Sequence, residues 1–191
     1  MKKRVIVLLA DGFEDVEATT PIDYLRRAGA EVVVSGVGGL ELTGARGMHV
    51  KADASLADLS GDLVHAGRFA WDAVVVPGGM PGASNIAASV LCSGLLKAAA
   101  GADCVIAAIC AAPALVLAPL GLLARRRFTC YPGMENQVSG AIFFEDRVVV
   151  DGKLITSRAA GTAGEWAIAI ITALYNRETA DKIAQSVLLR I

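Results

Sequence analysis

The run VIAAICAAPALVL, residues 105–117, decides how this chain is read. Val105 to Ile109 is continuously apolar, too short for a free-standing helix, and without period-two alternation. It fits a strand buried on both faces, as in a parallel sheet, although periodicity alone does not separate it from a buried helix segment. Pro113 favours a helix start just after the cysteine, predicting a helix over 112–123. Cys110 then stands at the turn between a central strand and a helix N-terminus, where the helix dipole and unpaired N–H groups favour a thiolate. A small buried hydrophobe at a strand end is the competing reading.

Outward from this run the chain alternates strand and helix. Arg4–Leu9 reads as a first strand and Asp11-Gly12 as a turn. Glu14, Asp15 and Glu17 load the first turn of a helix that runs to about Ala28 and stops at Gly29. Glu31–Val37 is a second strand, so the opening is β-α-β with a right-handed crossover. Short alternating runs over 38–50 predict a small hairpin, and 53–68 reads as a loop with a short helix. Trp71–Val76 is a strand ending in Pro77-Gly78-Gly79, followed by helix to about Ala100. The two glycines allow close backbone approach, or only a tight turn. The strand carrying Cys110 starts near Asp103.

Phe128–Tyr131 is a further short strand, and 132–140 a loop or short helix. Arg147–Val150 and Leu154–Thr156 flank Asp151-Gly152, a hairpin signal. Thr162 is placed to N-cap a helix over 163–176, and a last helix spans Glu178–Leu189. The pattern predicts a three-layer α/β/α sandwich formed by one domain over residues 1–191. In such sheets the site lies at the C-terminal strand ends. Here those ends carry Asp11–Glu17, Pro77-Gly78-Gly79 and Cys110, which favours the reactive cysteine.

Composition narrows the function. The chain is 54% hydrophobic, only 5% aromatic, and has net charge −1, so no basic field argues for nucleic acid. MKKRVIVLLADG starts like a signal peptide, but acids follow Ala10 at once, which reads as a first strand. No window approaches a membrane span, and a soluble, cytoplasmic protein is expected. Cys92, Cys104, Cys110 and Cys130 have irregular spacing and no CxxC. They read as free thiols, with neither a disulfide framework nor a metal site. No P-loop or GxGxxG follows a strand, and no cofactor is expected. His49 and His65 read as surface residues.

Glu17 lies beside a stripe formed by Pro21, Tyr24 and Ala28, and burial there would raise its pKa. An ionised Glu17 would oppose a thiolate at Cys110. A protonated one would donate a hydrogen bond to the sulfur. Glu14 and Asp15 read as ordinary N-terminal helix acids.

ADGFEDVEATTPIDYLRRAG, PGGMPGA, AAICAAP and TSRAAGTAGEWA, in this order, resemble the ThiJ/PfpI superfamily over nearly the full chain. The nearest branch is that of the parkinsonism-associated protein deglycase and bacterial YajL. The resemblance implies a flavodoxin-like fold of the class I glutamine amidotransferase type, a nucleophile elbow at Cys110, and a homodimer. It implies that Cys110 is the reactive, oxidation-prone cysteine and Glu17 the acid bonded to it. Gly78, Gly79 and Ala111 would supply oxyanion-facing N–H groups. Arg46 and Arg27 would reach the partner's site across a dimer interface, with Ser157 and Arg158 beside the cysteine. Ala111 stands where protease-like members carry histidine, and Tyr131 where the deglycase does. A Cys-His-Asp triad, and with it peptidase activity, is therefore not expected. The implied function is glyoxalase or deglycase activity on glyoxals or early protein adducts. The alternatives are a redox sensor or chaperone-like protein working through Cys110 oxidation, and a scaffold without activity.

Overall fold

The computed structural model describes residues 2–59, 61, 64–65 and 68–190. Seven strands form the main sheet: β1 (Arg4–Ala10), β2 (Glu31–Val37), β3 (Ala54–Ser55), β4 (Ala73–Val76), β5 (Val105–Ile109), β6 (Val148–Asp151) and β7 (Leu154–Ser157). Their spatial order is β6-β7-β5-β4-β1-β2-β3, parallel except for β6, which pairs antiparallel with β7 across the Asp151-Gly152 turn. β5 is therefore a central strand, and all five of its residues are buried.

Side chains alternate across β1 and feed two cores. Val5, Val7 and Leu9 pack with helices α1 (Asp15–Arg27), α4 (Ala163–Leu174) and α5 (Arg177–Ser186). Ile6, Leu8 and Ala10 pack on the other face with α2 (Gly82–Ala88) and α3 (Val90–Ala100). This is the α/β/α sandwich, with the flavodoxin-like arrangement of a mostly parallel sheet between helices. Each fully buried aliphatic side chain contributes about 1.5–3 kcal/mol of transfer free energy, so the two cores dominate stability.

Several local expectations are corrected. The helix expected to run unbroken to Ala100 divides at Ser89, whose extended backbone ends α2 and whose Oγ accepts the Cys92 N–H. The axes of α2 and α3 differ by 80°. After Cys110 there is no twelve-residue helix. A five-residue π-helical segment, Pro113–Leu117, gives way to turns. Thr162 holds the N-cap position of α4, but its hydroxyl is engaged with Ala159 and Ser157 and makes no cap hydrogen bond. α4 ends at Leu174, and Asn176 caps α5, which starts at Arg177. In place of the short strand expected at Phe128–Tyr131 there is a two-residue strand, Arg127–Phe128, paired parallel with Ile142–Phe143.

The expected hairpin forms from Glu41–Thr43 and His49–Lys51. His49 is exposed, and the side chain of His65 lies outside the described residues. Among the described residues no single helix is long and apolar enough to cross a membrane.

Candidate active site

Parallel register brings the C-terminal ends of β1, β4, β5 and β7 to one edge of the sheet. The site is built there. Cys110 follows β5 with φ of +61°, a left-handed conformation that a non-glycine residue avoids. Such a conformation costs about 1–3 kcal/mol and persists only where the surroundings enforce it. Here the Cys110 N–H donates to the Ser157 carbonyl at 3.0 Å, and the Tyr131 N–H donates to the Cys110 carbonyl at 2.9 Å. Both bonds hold the thiol up from the sheet edge, in the manner of a nucleophile elbow.

Glu17 enters from the first turn of α1 and is 1% exposed. Its Oε2 accepts the Gly78 N–H at 2.9 Å, the Ala160 N–H points to the same carboxyl group, and the Cys110 thiol hydrogen-bonds it. Desolvation by burial, and after it the charge of Glu14, raise the Glu17 pKa to about 7. Near neutral pH the group therefore exchanges a proton readily, as expected of a buried acid.

Cys110 departs from the resting thiolate expected at a helix N-terminus. Burial, then the Glu17 charge, push its pKa up to about 12. The N–H groups of Gly79 and Ala111 face the sulfur and act in the opposite direction. The long helix whose dipole would have helped them is absent. Near neutral pH the sulfur is therefore held as a thiol, and Glu17 is the carboxyl group in contact with it.

Gly78 serves Glu17, so its N–H is not free for an oxyanion. Gly79 and Ala111 are the two expected donors that meet the sulfur. Gly79 holds φ at +90°, and a Cβ there would stand 2.2 Å from the Glu14 nitrogen, so glycine is required.

A cavity of about 790 Å³ opens above Cys110. Glu14, Glu17, Arg46, Met80, Tyr131 and Met134 are among its lining residues. Arg46 thus lines the cavity of its own chain, and half-exposed Tyr131 joins it. Arg27, Ser157 and Arg158 do not line it. Arg27 sits at the far end of α1, paired with Asp23 at 2.7 Å. The Ser157 hydroxyl donates to the Arg147 carbonyl and meets the Thr162 hydroxyl. Arg158 donates to the Glu145 carbonyl and stacks over Phe143. Among the described residues no group of three or more His, Cys, Asp or Glu could hold a metal ion.

Two acids read as ordinary helix acids have specific tasks. Glu14 is the N-cap itself, and its side chain accepts the Glu17 N–H at 2.8 Å. Asp15 accepts the N–H groups of Arg46 at 2.9 Å and Met48 at 3.0 Å. No sequence signal separates these roles from dipole-compensating acids, because both partners lie elsewhere in the chain or in the cap geometry. Ala160, which reaches Glu17 through its backbone, carries no side-chain signal either.

Residues 3–173 match the DJ-1/PfpI family. Protein DJ-1 homolog B of Arabidopsis thaliana is 39% identical over 186 residues, covering 97% of this chain. The chain spans only 41% of that relative's length. Glutathione-independent glyoxalase DJR-1.2 of Caenorhabditis elegans is 30% identical over 184 residues, 95% of this chain and 94% of that protein. The structure of oxidized Toxoplasma gondii DJ-1 superposes with a TM-score of 0.93 at 38% identity, over 99% of this chain and all of that one. With the family model spanning most of the chain and the same sandwich in a solved relative, this chain belongs to the DJ-1/PfpI family.

Proposed function

We propose that this chain is a stress-protection protein that uses Cys110 as a nucleophile on glyoxals or their early protein adducts, in a cysteine-dependent glyoxalase or deglycase reaction. The observation that carries this reading is the contact of the Cys110 thiol with a Glu17 carboxyl group that titrates near neutral pH, at the floor of an open cavity. The name of the similar Caenorhabditis elegans glyoxalase adds support.

On methylglyoxal the steps balance with water alone. Sγ adds to the aldehyde carbon while Glu17 takes the thiol proton and returns it to the oxygen, giving a hemithioacetal. The developing oxyanion meets the N–H groups of Gly79 and Ala111. Glu17, again ionised, removes the proton from the former aldehyde carbon and delivers it to the neighbouring carbon, while the hydroxyl proton of the hemithioacetal passes to the oxygen on that neighbouring carbon. The resulting thioester is hydrolysed to lactate, and the thiol is restored. Arg46 and Tyr131 are the lining side chains available to orient the substrate. No cofactor enters.

A second reading has one observation of its own: the solved relative reported above is an oxidized form. In that reading Cys110 is oxidised by peroxide to the sulfinic acid and Glu17 holds the product, without turnover. Both readings place the protein in a reducing compartment such as the cytoplasm, as a single 1–191 domain in a homodimer. Exposed Val16 on α1 and Met48 on the hairpin suit an apolar contact between copies.

The deciding measurement is lactate formation from methylglyoxal without added glutathione. The enzyme reading requires turnover that is lost in Cys110→Ala and Glu17→Gln. A fully active Cys110→Ala, or no lactate above background, sinks it.

A further inference from the structure

The 44–48 loop at the cavity mouth is held by one side chain of α1. Asp15 is only 7% exposed, yet it forms no ion pair with Arg46. Its two oxygens instead accept backbone N–H groups, Oδ2 from Arg46 and Oδ1 from Met48. Gly44 packs directly on this carboxylate: a Cβ at 44 would stand 2.6 Å from both oxygens. The loop also closes on itself, with the Gly44 N–H donating to the Met48 carbonyl, and is tied to the Asp15 side by the Ala45 N–H on the Phe13 carbonyl. Burying a carboxylate in this way costs free energy unless its lone pairs are satisfied, so the loop conformation and the buried acid stabilise each other.

This clamp leaves the Arg46 guanidinium unengaged by Asp15, at a cavity whose lining also includes the acids Glu14 and Glu17. We infer that Asp15 is a positioning residue: it fixes Arg46 at the mouth, where its charge offsets the acids Glu14 and Glu17 and raises the access of anionic electrophiles to Cys110 relative to neutral ones of similar size. This rests on the reading of Cys110 as the nucleophile and adds to it a charge preference and the residue that sets it. A single fixed cation at the mouth of a cleft acts over about one Debye length, ~10 Å at 0.1 M salt, which is enough to bias entry by charge.

The test compares alkylation of Cys110 by iodoacetate, which is anionic, and by iodoacetamide, which is neutral and similar in size, followed by mass mapping. The ratio of the two rates reports charge selection and cancels changes in the thiol itself. Loss of folding or a shifted thiol pKa would move both rates together. In Asp15→Ala the iodoacetate-to-iodoacetamide ratio falls roughly three- to tenfold, as it does in Arg46→Ala, and the double variant falls no further. Rising salt lowers the wild-type ratio and leaves the variants nearly unchanged.

Asp15→Asn, which keeps one acceptor oxygen, falls between. Gly44→Ala, which displaces the carboxylate while leaving it present, lowers the ratio as well. These two milder variants carry the test if Asp15→Ala does not fold. A ratio unchanged in the Asp15 and Gly44 variants but reduced in Arg46→Ala overturns the positioning role. A ratio unchanged in Arg46→Ala overturns the charge selection. Wild-type Cys110 that labels no faster than Cys92, Cys104 and Cys130 overturns the nucleophile reading on which both stand.

Discussion

Gly78 and Glu17, 61 positions apart, meet through a backbone N–H that donates to Oε2 at 2.9 Å. A Cβ at residue 78 would stand 2.7 Å from that same oxygen and 2.7 Å from the Cys110 Cβ. Glycine at the end of β4 is therefore what allows the acid and the thiol to touch. Gly78→Ala should separate them. We expect iodoacetamide labelling of Cys110 and any lactate formation to drop at least tenfold, since sub-ångström misplacement is costly in such sites. Overpacking should cost about 1–3 kcal/mol in denaturant unfolding. Wild-type labelling rates in Gly78→Ala would contradict this geometry.

Glu17 also predicts a pH dependence of opposite sign for activity and stability. As a proton acceptor it works when ionised, so activity should rise with pH through about 7, and Glu17→Gln should lose that limb. Burial raises its pKa from 4.5 to about 7, so between those values the folded chain binds more protons than the unfolded one. Stability contributed by this group is then complete below 4.5 and lost as pH rises through about 7, on the order of 3 kcal/mol in all. Urea unfolding at several pH values should show a shallower slope over this window in Glu17→Gln.

The left-handed backbone at Cys110 gives a test that is independent of chemistry. At φ of +61° a β-branched side chain clashes where an alanine does not. Cys110→Val should unfold at lower denaturant than Cys110→Ala by roughly 1–2 kcal/mol, although valine is the larger apolar residue. Equal midpoints would show that the elbow relaxes.

Thr162 should influence the site at one remove. Its hydroxyl accepts the Ala159 N–H at 3.1 Å and meets Ser157 at 2.7 Å, which fixes the turn that presents the Ala160 N–H to Glu17. Thr162→Val takes this acceptor from the Ala159 N–H and should cost about 1–3 kcal/mol. Weakening the Ala160 bond removes a contribution that lowers the Glu17 pKa, so the rising limb of activity should move to higher pH. A limb in its wild-type place would confine Thr162 to stability.

Peroxide should discriminate among the four thiols. Cys92, Cys104 and Cys130 are buried, with pKa raised by burial to about 11, 12 and 12, whereas Cys110 alone is partly exposed and opens into the cavity. Mild hydrogen peroxide should add two oxygens at Cys110 first, as read by intact mass and peptide mapping. Oxidation of all four at similar rates would remove the redox reading.

Much of the sandwich is legible in local chemistry. The apolar runs of β1, β2, β4 and β5 read as strands of a parallel sheet, and β4 and β5 are buried throughout. The Asp151-Gly152 pair read as a hairpin, and Gly29 as a helix stop. Misreadings fall at the ends of elements, where a cap or a competing hydrogen bond sets the boundary. Ser89 interrupts an otherwise helical stretch because its hydroxyl caps the following helix instead. Pro113 starts only a π-helical turn. Thr162 has the composition of a cap, yet its hydroxyl is taken by Ser157 and Ala159.

The amino-acid sequence by itself determined the alternation of elements and the order of the strand-end motifs, because these depend on residue type and short-range spacing, and it brought Cys110 and Glu17 forward as candidates at those strand ends. Only the tertiary structure decided their chemistry. Burial, which no local pattern measures, raises both pKa values, so that a protonated thiol rests against Glu17 where a resting thiolate was expected. Packing of residues far apart in the chain assigned the Gly78 N–H to Glu17 and made Asp15 the clamp on the Arg46 loop. It also left Arg27, Ser157 and Arg158 outside the cavity that Arg46 and Tyr131 line.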